Sequence, residues 1–198
     1  ETHLPIISIT VNEEKIPGES ILDSEGNEIG KTLDNEGNEM TLGEIAVYDS
    51  DNINTIYDSA KISSSALVRY RGNSSMSFSK KGYLLKLVDE EGNDNNQEML
   101  GMAKHNEWVL HGPYLDKTLM RNYMAYNIAG MIMGYAPNVR YCEVYVNNEY
   151  QGLYLLCESI SRSENRVNIN KYDSSLSEFG YIVRIDKEDD IKGISTFS

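Results

Sequence analysis

Basic residues are scarce in this chain, and cysteine and histidine are scarcer. Eighteen Lys and Arg stand against 31 Asp and Glu, a net charge of −13 over 198 residues. Nucleic-acid binding draws on a cationic surplus that neutralises phosphates, so no nucleic-acid partner is expected. No run of about 18 apolar residues exists, so no membrane span is expected. Two cysteines and three histidines, without metal-ligand spacing, argue against a zinc site. The Gly-x-Ser-x-Gly elbow, His-Glu-x-x-His, the phosphate-binding P-loop and the Rossmann fingerprint are all missing, which removes the common hydrolase, metalloprotease and dinucleotide signatures. Residues Glu1–Leu4 carry no basic segment and no long apolar stretch, so any signal peptide is expected to have been removed.

What is present is β-forming. Hydrophobic residues make up 40% of the chain, enough for the core of one domain. Fourteen Tyr against three Phe suit half-buried sheet surfaces. The patterns predict strands over 4–11, 44–49, 65–71, 80–88 and 108–110, with a last one over 181–186. Residues 97–104, with Met99, Leu100 and Met102, predict a short helix. A long helix is predicted from Asp116, an N-cap, to Met133, where Gly134 and Pro137 end it. Met120, Met124, Ile128 and Met131 form an apolar stripe along it, widened by Leu119, Tyr123, Tyr126 and Ile132, so substantial burial is expected. These elements predict an α+β fold, a twisted and mostly antiparallel sheet with one long helix packed on it. Residues 1–198 form a single domain that looks cut short at its C-terminal end, with a polar insertion over 12–43.

Three echoes punctuate the chain: Asp23-Ser-Glu-Gly-Asn-Glu28, Asp34-Asn-Glu-Gly-Asn-Glu39 and Asp89-Glu-Glu-Gly-Asn-Asp94. Their acids lack the spacing of a Ca²⁺ loop, and Gly-Asn predicts tight turns. Asn147-Asn148 predicts a two-residue turn joining strands 139–146 and 150–158. In that register Cys142 faces Leu153 and Cys157 lies four residues further on. At about 3.4 Å per residue this is beyond disulfide reach, so two free, buried thiols are expected.

The candidate chemistry is a cluster of bases around a Gly-Ser turn: Arg69, Arg71, Gly72, Asn73, Ser74, Ser75, Lys80 and Lys81. Small residues let backbone N–H groups approach an anion, and the bases supply charge. A strand–turn–strand with solvated bases is the other reading. The surrounding sequence carries more. Arg71-Gly-Asn-Ser-Ser, Phe78-Ser-Lys-Lys-Gly-Tyr-Leu-Leu-Lys-Leu, Leu100-Gly-Met, Trp108-Val-Leu-His-Gly-Pro-Tyr-Leu-Asp-Lys-Thr-Leu-Met-Arg-Asn, the 143–158 hairpin, Asn165-Arg-Val-Asn-Ile and Gly180-Tyr-Ile-Val-Arg-Ile-Asp occur in that order. Over about residues 66–190 the chain resembles the CotH (spore-coat protein H) kinase family.

The resemblance implies an atypical protein-kinase N-lobe and an ATP-dependent Ser/Thr kinase acting on a protein substrate. It also implies ATP and Mg²⁺ as cofactors of the parent, and a bacterial protein that is secreted or at the cell surface. It implies nucleotide binding by Arg71, Asn73, Ser74, Lys81 (with Lys86 as the other candidate lysine), Arg121 and Glu158. Strand alternation allows only one of the two lysines to face the nucleotide. Arg121 is placed to reach an acid or a phosphate, and Glu158 to touch the nucleotide or pair with Arg121. The family's downstream Asn-x-Asp and Trp-Asp-x-Asp stretches do not occur before Ser198. This chain alone is therefore expected to be inactive, without catalytic or metal-binding acids and without a tightly bound cofactor. The rival readings are a non-catalytic extracellular module that binds protein or carbohydrate, and an orphan nucleotide-binding lobe.

Overall fold

The computed structural model describes residues 1–12, 15–175 and 180–183. In chain order the elements are β1 (Ile6–Val11), β2 (Ser20–Leu22), β3 (Glu28–Lys31), β4 (Thr41–Tyr48), β5 (Ile62–Arg71), β6 (Gly82–Val88), β7 (Gln97–Met99), β8 (Met102–His105), β9 (Glu107–His111), α1 (Arg121–Ile132), β10 (Val139–Val146) and β11 (Glu149–Glu158).

The expected open α+β sheet is not what forms. Seven strands close into a barrel in the order β1-β10-β11-β9-β6-β5-β4, and β1 then meets β4. Every joint is antiparallel except β1 with β10, which is parallel. Alternation along the strands sends one face inward. In β4, Thr41, Gly43, Ile45 and Val47 are buried while their neighbours are not. Ile7, Ile9, Ala66, Val68, Leu85, Leu87, Trp108, Leu110, Cys142, Val144, Tyr154 and Leu156 join them in one interior core. The resemblance to a kinase N-lobe does not extend to this architecture: the sheet covers its apolar face by closing on itself rather than under a helix.

That closure explains the second correction. The helix starts at Arg121 rather than Asp116 and none of its residues is buried. Asp116 still serves its start: its carboxylate accepts the Arg121 N–H at 2.8 Å and the Thr118 N–H at 3.0 Å. Only Tyr123, Tyr126 and Ala129 are half-covered. Tyr123 stacks on Tyr141 of β10 at 4.8 Å, and the Tyr141 hydroxyl donates to the Leu119 carbonyl. The Met/Ile stripe points away from the wall, with Met131 82% and Ile132 79% exposed.

The third correction is local. Residues 97–104 form a tight hairpin, β7 with β8, instead of a helix. Leu100 and Gly101 both take positive φ, 50° and 73°, the backbone of a two-residue turn of the primed type. Met99 and Met102 are paired across it and point into the core.

The three echoed loops are turns, and they share one arrangement. In each, the leading Asp side chain accepts N–H groups two and four residues on, plus the Asn amide. Those bonds hold the carboxyls of Asp23, Asp34 and Asp89 below their ordinary value.

The Asn147-Asn148 turn forms as expected, with φ of 49° and 64°. A bulge follows: Tyr145 pairs with Tyr150, but Val144 pairs with Gly152. Cys142 therefore faces Tyr154 rather than Leu153, and Cys157 faces Val139. Both thiols are free and buried, as expected. Cys142 lies in the barrel interior and Cys157 in a smaller cluster on the outer wall. Of the strand expected over 181–186, residues 181–183 are described and lie in no regular element, and the rest falls outside the described residues.

Truncation separates barrel from helix as the structural core. Leu85→Ala, at a site with no exposed surface, is expected to destabilise the fold by about 2–5 kcal/mol. Met131→Ser on the exposed stripe is expected to change stability by less than about 0.5 kcal/mol. Urea unfolding measures both, and a large loss at Met131 would contradict this arrangement.

Candidate functional site

The strands that bury a core inward carry polar residues outward. On β5, Val68 points in, while Arg69 and Arg71 point to the outer wall. The neighbours continue the wall: Arg69 is opposite Leu84, Leu84 opposite Val109, and Val109 opposite Cys157. Helix α1 stands beside this surface and contributes Asn122 and Tyr126. Between them lies a cleft of about 470 Å³, lined by these residues with Glu107, His111 and the Glu158–Ile160 segment. Gly82 keeps the wall low beside Arg71, since a Cβ there would meet the Arg71 carbonyl oxygen at 2.8 Å.

Electrostatics distinguish this cleft from the rest of an acidic molecule. No ion pair or side-chain hydrogen bond engages Arg69 or Arg71 among the described residues. Glu158, one of the two acids in the lining, is already neutralised. Its carboxylate meets Arg166 Nη1 at 3.1 Å, with the two side chains 1% and 0% exposed. Its second oxygen accepts the Asn138 N–H at 2.9 Å and the Asn138 amide at 3.2 Å. Arg166 Nη1 also donates to the Ala103 and Asn165 carbonyls, and the guanidinium carbon lies 4.8 Å from the Trp108 ring centre. Arg166 Nε and Nη2 and the Tyr135 hydroxyl are buried without hydrogen-bond partners among the described residues. Burial lowers the Arg166 value, with Glu158 opposing that shift. The pair ties the end of β11 to the start of β10 and to the β7–β8 hairpin.

Three further groups of the cleft, Cys157, Tyr126 and His111, are held uncharged. Burial pushes the Cys157 thiol up to about 12, against the pull of Arg71. Burial raises Tyr126 as well. His111 sits below its ordinary value through burial and the nearby Arg71 charge. Its Nε2 is in hydrogen-bond contact with the Asn122 amide nitrogen of α1.

The residues expected to bind nucleotide are not all together. Arg71 and Glu158 line this cleft. Asn73 precedes the 3-10 turn Ser74–Ser77, beyond the end of β5. Lys81 Nζ donates to the Met76 carbonyl and lies 3.4 Å from Glu19. Lys86 pairs with Asp94 at 3.1 Å. Arg121 pairs with Asp116 at 3.6 Å and is 79% exposed, so Glu158 has Arg166, not Arg121, as its partner. His111 and the buried Arg166 were not anticipated as part of the site. The only sequence signal for Arg166 was its place in Asn165-Arg-Val-Asn-Ile.

The donor set suits an anion. Two guanidiniums, unpaired among the described residues, and an amide around apolar walls match a phosphorylated ligand. Mg²⁺ is a different matter: no group of three or more His, Cys, Asp or Glu that could hold a metal occurs among the described residues. The described residues fit the phosphates and do not fit the metal.

Fold and cleft together define a closed β-barrel with an arginine-lined pocket on its outer wall. The chain belongs to the CotH family, whose "CotH kinase protein" profile matches residues 68–196. No curated protein matches it significantly. Among the described residues no helix is long and apolar enough to cross a membrane.

Two stability predictions follow from these contacts. Arg166→Met leaves the Glu158 carboxylate buried and unpaired, and is expected to cost about 3–5 kcal/mol, with much of that loss recovered in Glu158→Leu/Arg166→Met. Equal loss in single and double variants would deny the pairing. The second concerns pH. His111 and His105 both have folded values below the ordinary one, so the folded chain binds fewer protons than the unfolded. Their contribution is present above the unfolded value of about 6.5 and is lost as pH falls through the folded values. The urea midpoint should drop between pH 7.5 and 5.5, and drop less in His105→Gln/His111→Gln.

Proposed function

We propose that this chain is the nucleotide-holding part of a CotH-family protein kinase, with the phosphates of ATP against Arg69 and Arg71 in the outer-wall cleft. The observation that carries this reading is a pair of guanidiniums without acid partners among the described residues, lining one cleft of a chain with net charge −13. Arginine grips phosphate oxygens through two parallel N–H bonds, and the low-dielectric walls of Leu84, Val109 and Tyr126 strengthen each bond. These residues bind and orient the ligand. Transfer to Ser or Thr of a protein substrate, with Mg²⁺ neutralising the developing charge, belongs to the same proposal, as does a place outside the bacterial cell. Both rest on family membership.

A second reading has one observation in its favour. The described residues hold no metal-ligand group, which suits a module that binds an anionic or carbohydrate-bearing surface partner without chemistry.

Calorimetry with ATP, with and without Mg²⁺, tests the first reading. Binding is expected, weakened at least tenfold by Arg71→Ala and further by Arg69→Ala/Arg71→Ala. Lys81→Ala, whose amine is engaged by Met76 and Glu19, is expected to stay within about twofold of the parent. Affinity lost at Lys81 and kept without the two arginines would move the site to the Gly-Ser turn. Absence of ATP binding would favour the surface module.

A further inference from the structure

We propose that His111 is a third ligand of the anion in this cleft, neutral in the ligand-free protein and cationic once the anion is bound. This rests on the reading of the cleft as a phosphate site and adds a proton to its binding equilibrium.

The geometry fixes the starting state. His111 is the last residue of β9 and lines the same cleft as Arg69 and Arg71. Its Nε2 meets the Asn122 amide nitrogen, which can only donate. Nε2 is therefore the acceptor, and the proton of the neutral ring lies on Nδ1. Protonation would set two donors face to face. The Asn122 amide can answer by turning over, which offers its oxygen to the new N–H and keeps the helix tied to β9 in both states.

The groups around the ring decide when that happens. From β5 come Arg69 and Arg71, both cationic. From α1 the only titratable neighbour is the Tyr126 phenol, held protonated. From β11 come the Cys157 thiol, also protonated, and Glu158, already neutralised by Arg166. On its own strand Glu107 is two outward positions away, across Val109. Lys80 packs on Gly112 but turns its amine over the Tyr154 ring. Among the described residues the ligand-free balance near His111 is positive, with Arg69 and Arg71 against Glu107, and it repels a further charge. A phosphate dianion against the two arginines reverses that sign, and the imidazolium then faces a partner. Because the coupling is reciprocal, an anion that favours the proton is bound more tightly where the proton is available.

Sulfate is the probe, because it carries two charges and does not titrate between pH 5.5 and 8. With only His3, His105 and His111 in the chain, nitrogen NMR resolves each ring, and His111→Gln assigns the signal. The expected result is an Nδ1–H tautomer at His111 without sulfate, and an upward move of its titration at saturating sulfate while His3 and His105 stay in place. Sulfate affinity should rise at least threefold from pH 8 to 5.5, and this rise should vanish in His111→Gln. Sulfate binding that depends on Arg71 but is flat with pH, with His111 unmoved, overturns the proposal and leaves the cleft reading standing. Failure of both sulfate and ATP to bind at any pH overturns both. The NMR measurement uses the unaltered chain, and His3→Gln and His105→Gln assign its signals by elimination, so a poorly folding His111→Gln does not block it.

Discussion

Strand β1 is hydrogen-bonded along both edges, antiparallel to β4 and parallel to β10. That double pairing closes the barrel and joins segments far apart in sequence, with Ile6 opposite Glu143. Such contacts recover their loop-closure entropy late, so the geometry depends on residues that are good strand formers in their own right. The Ile-Ile-Ser-Ile run of β1 supplies them, with Ile7 and Ile9 wholly buried. Once the ring is closed the apolar face needs no other cover. Helix α1 is thereby released to the outside, held by a tyrosine stack and a few hydrogen bonds.

The cleft is a product of the same closure. Core and site alternate along single strands, so Val68 packs inside while Arg69 and Arg71 look out, and Leu110 packs inside while Val109 and His111 look out. The interior fixes the spacing of the outer residues to within the tolerance of a packed sheet. The buried Glu158–Arg166 pair contributes to the field as well as to the joint. It removes one of the two lining carboxylates from the charge balance, so that among the described residues the two arginines outweigh the remaining Glu107. His111 is the one group there whose ordinary titration lies near neutral pH, and burial and the Arg71 charge favour its neutral form.

Much of this was readable from the residues. The seven barrel strands, the Asn147-Asn148 turn, the three Asp-led loops and the two free thiols follow from local rules, and the structure contains them, whereas the short strands β2 and β3 were not expected and residues 181–183 lie in no strand. The family was readable too, from motifs in order. The closed architecture was not, because alternation shows that one face of a sheet is buried but not what buries it. The same gap misplaced the helix: a Met/Ile stripe signals an apolar face, and only tertiary structure says whether that face is used. The hairpin at 97–104 was missed because Leu100 takes a left-handed backbone that its side chain does not favour. For the cleft, the sequence marked the Arg69–Arg71 neighbourhood and Glu158. It did not reveal that Arg166, His111 and Asn122 converge there, since their partners lie on other strands or on the helix.

The bulge between β10 and β11 has a reach beyond its own turn. One unpaired residue, Gln151, separates the Tyr145–Tyr150 pair from the Val144–Gly152 pair. Every side chain of β11 after that point owes its inward or outward aim to this single insertion. With it, Tyr154 and Leu156 fill the barrel, and Cys157 forms the floor of the cleft. The residue thus works like a phase shifter in a repeating signal: with Gln151 paired to Val144 instead of skipped, Leu153 and not Tyr154 would stand opposite Cys142, and the strand would present its lining to the lumen and its core to water. The register across this turn is accordingly under a tighter constraint than the identity of the residue that sets it.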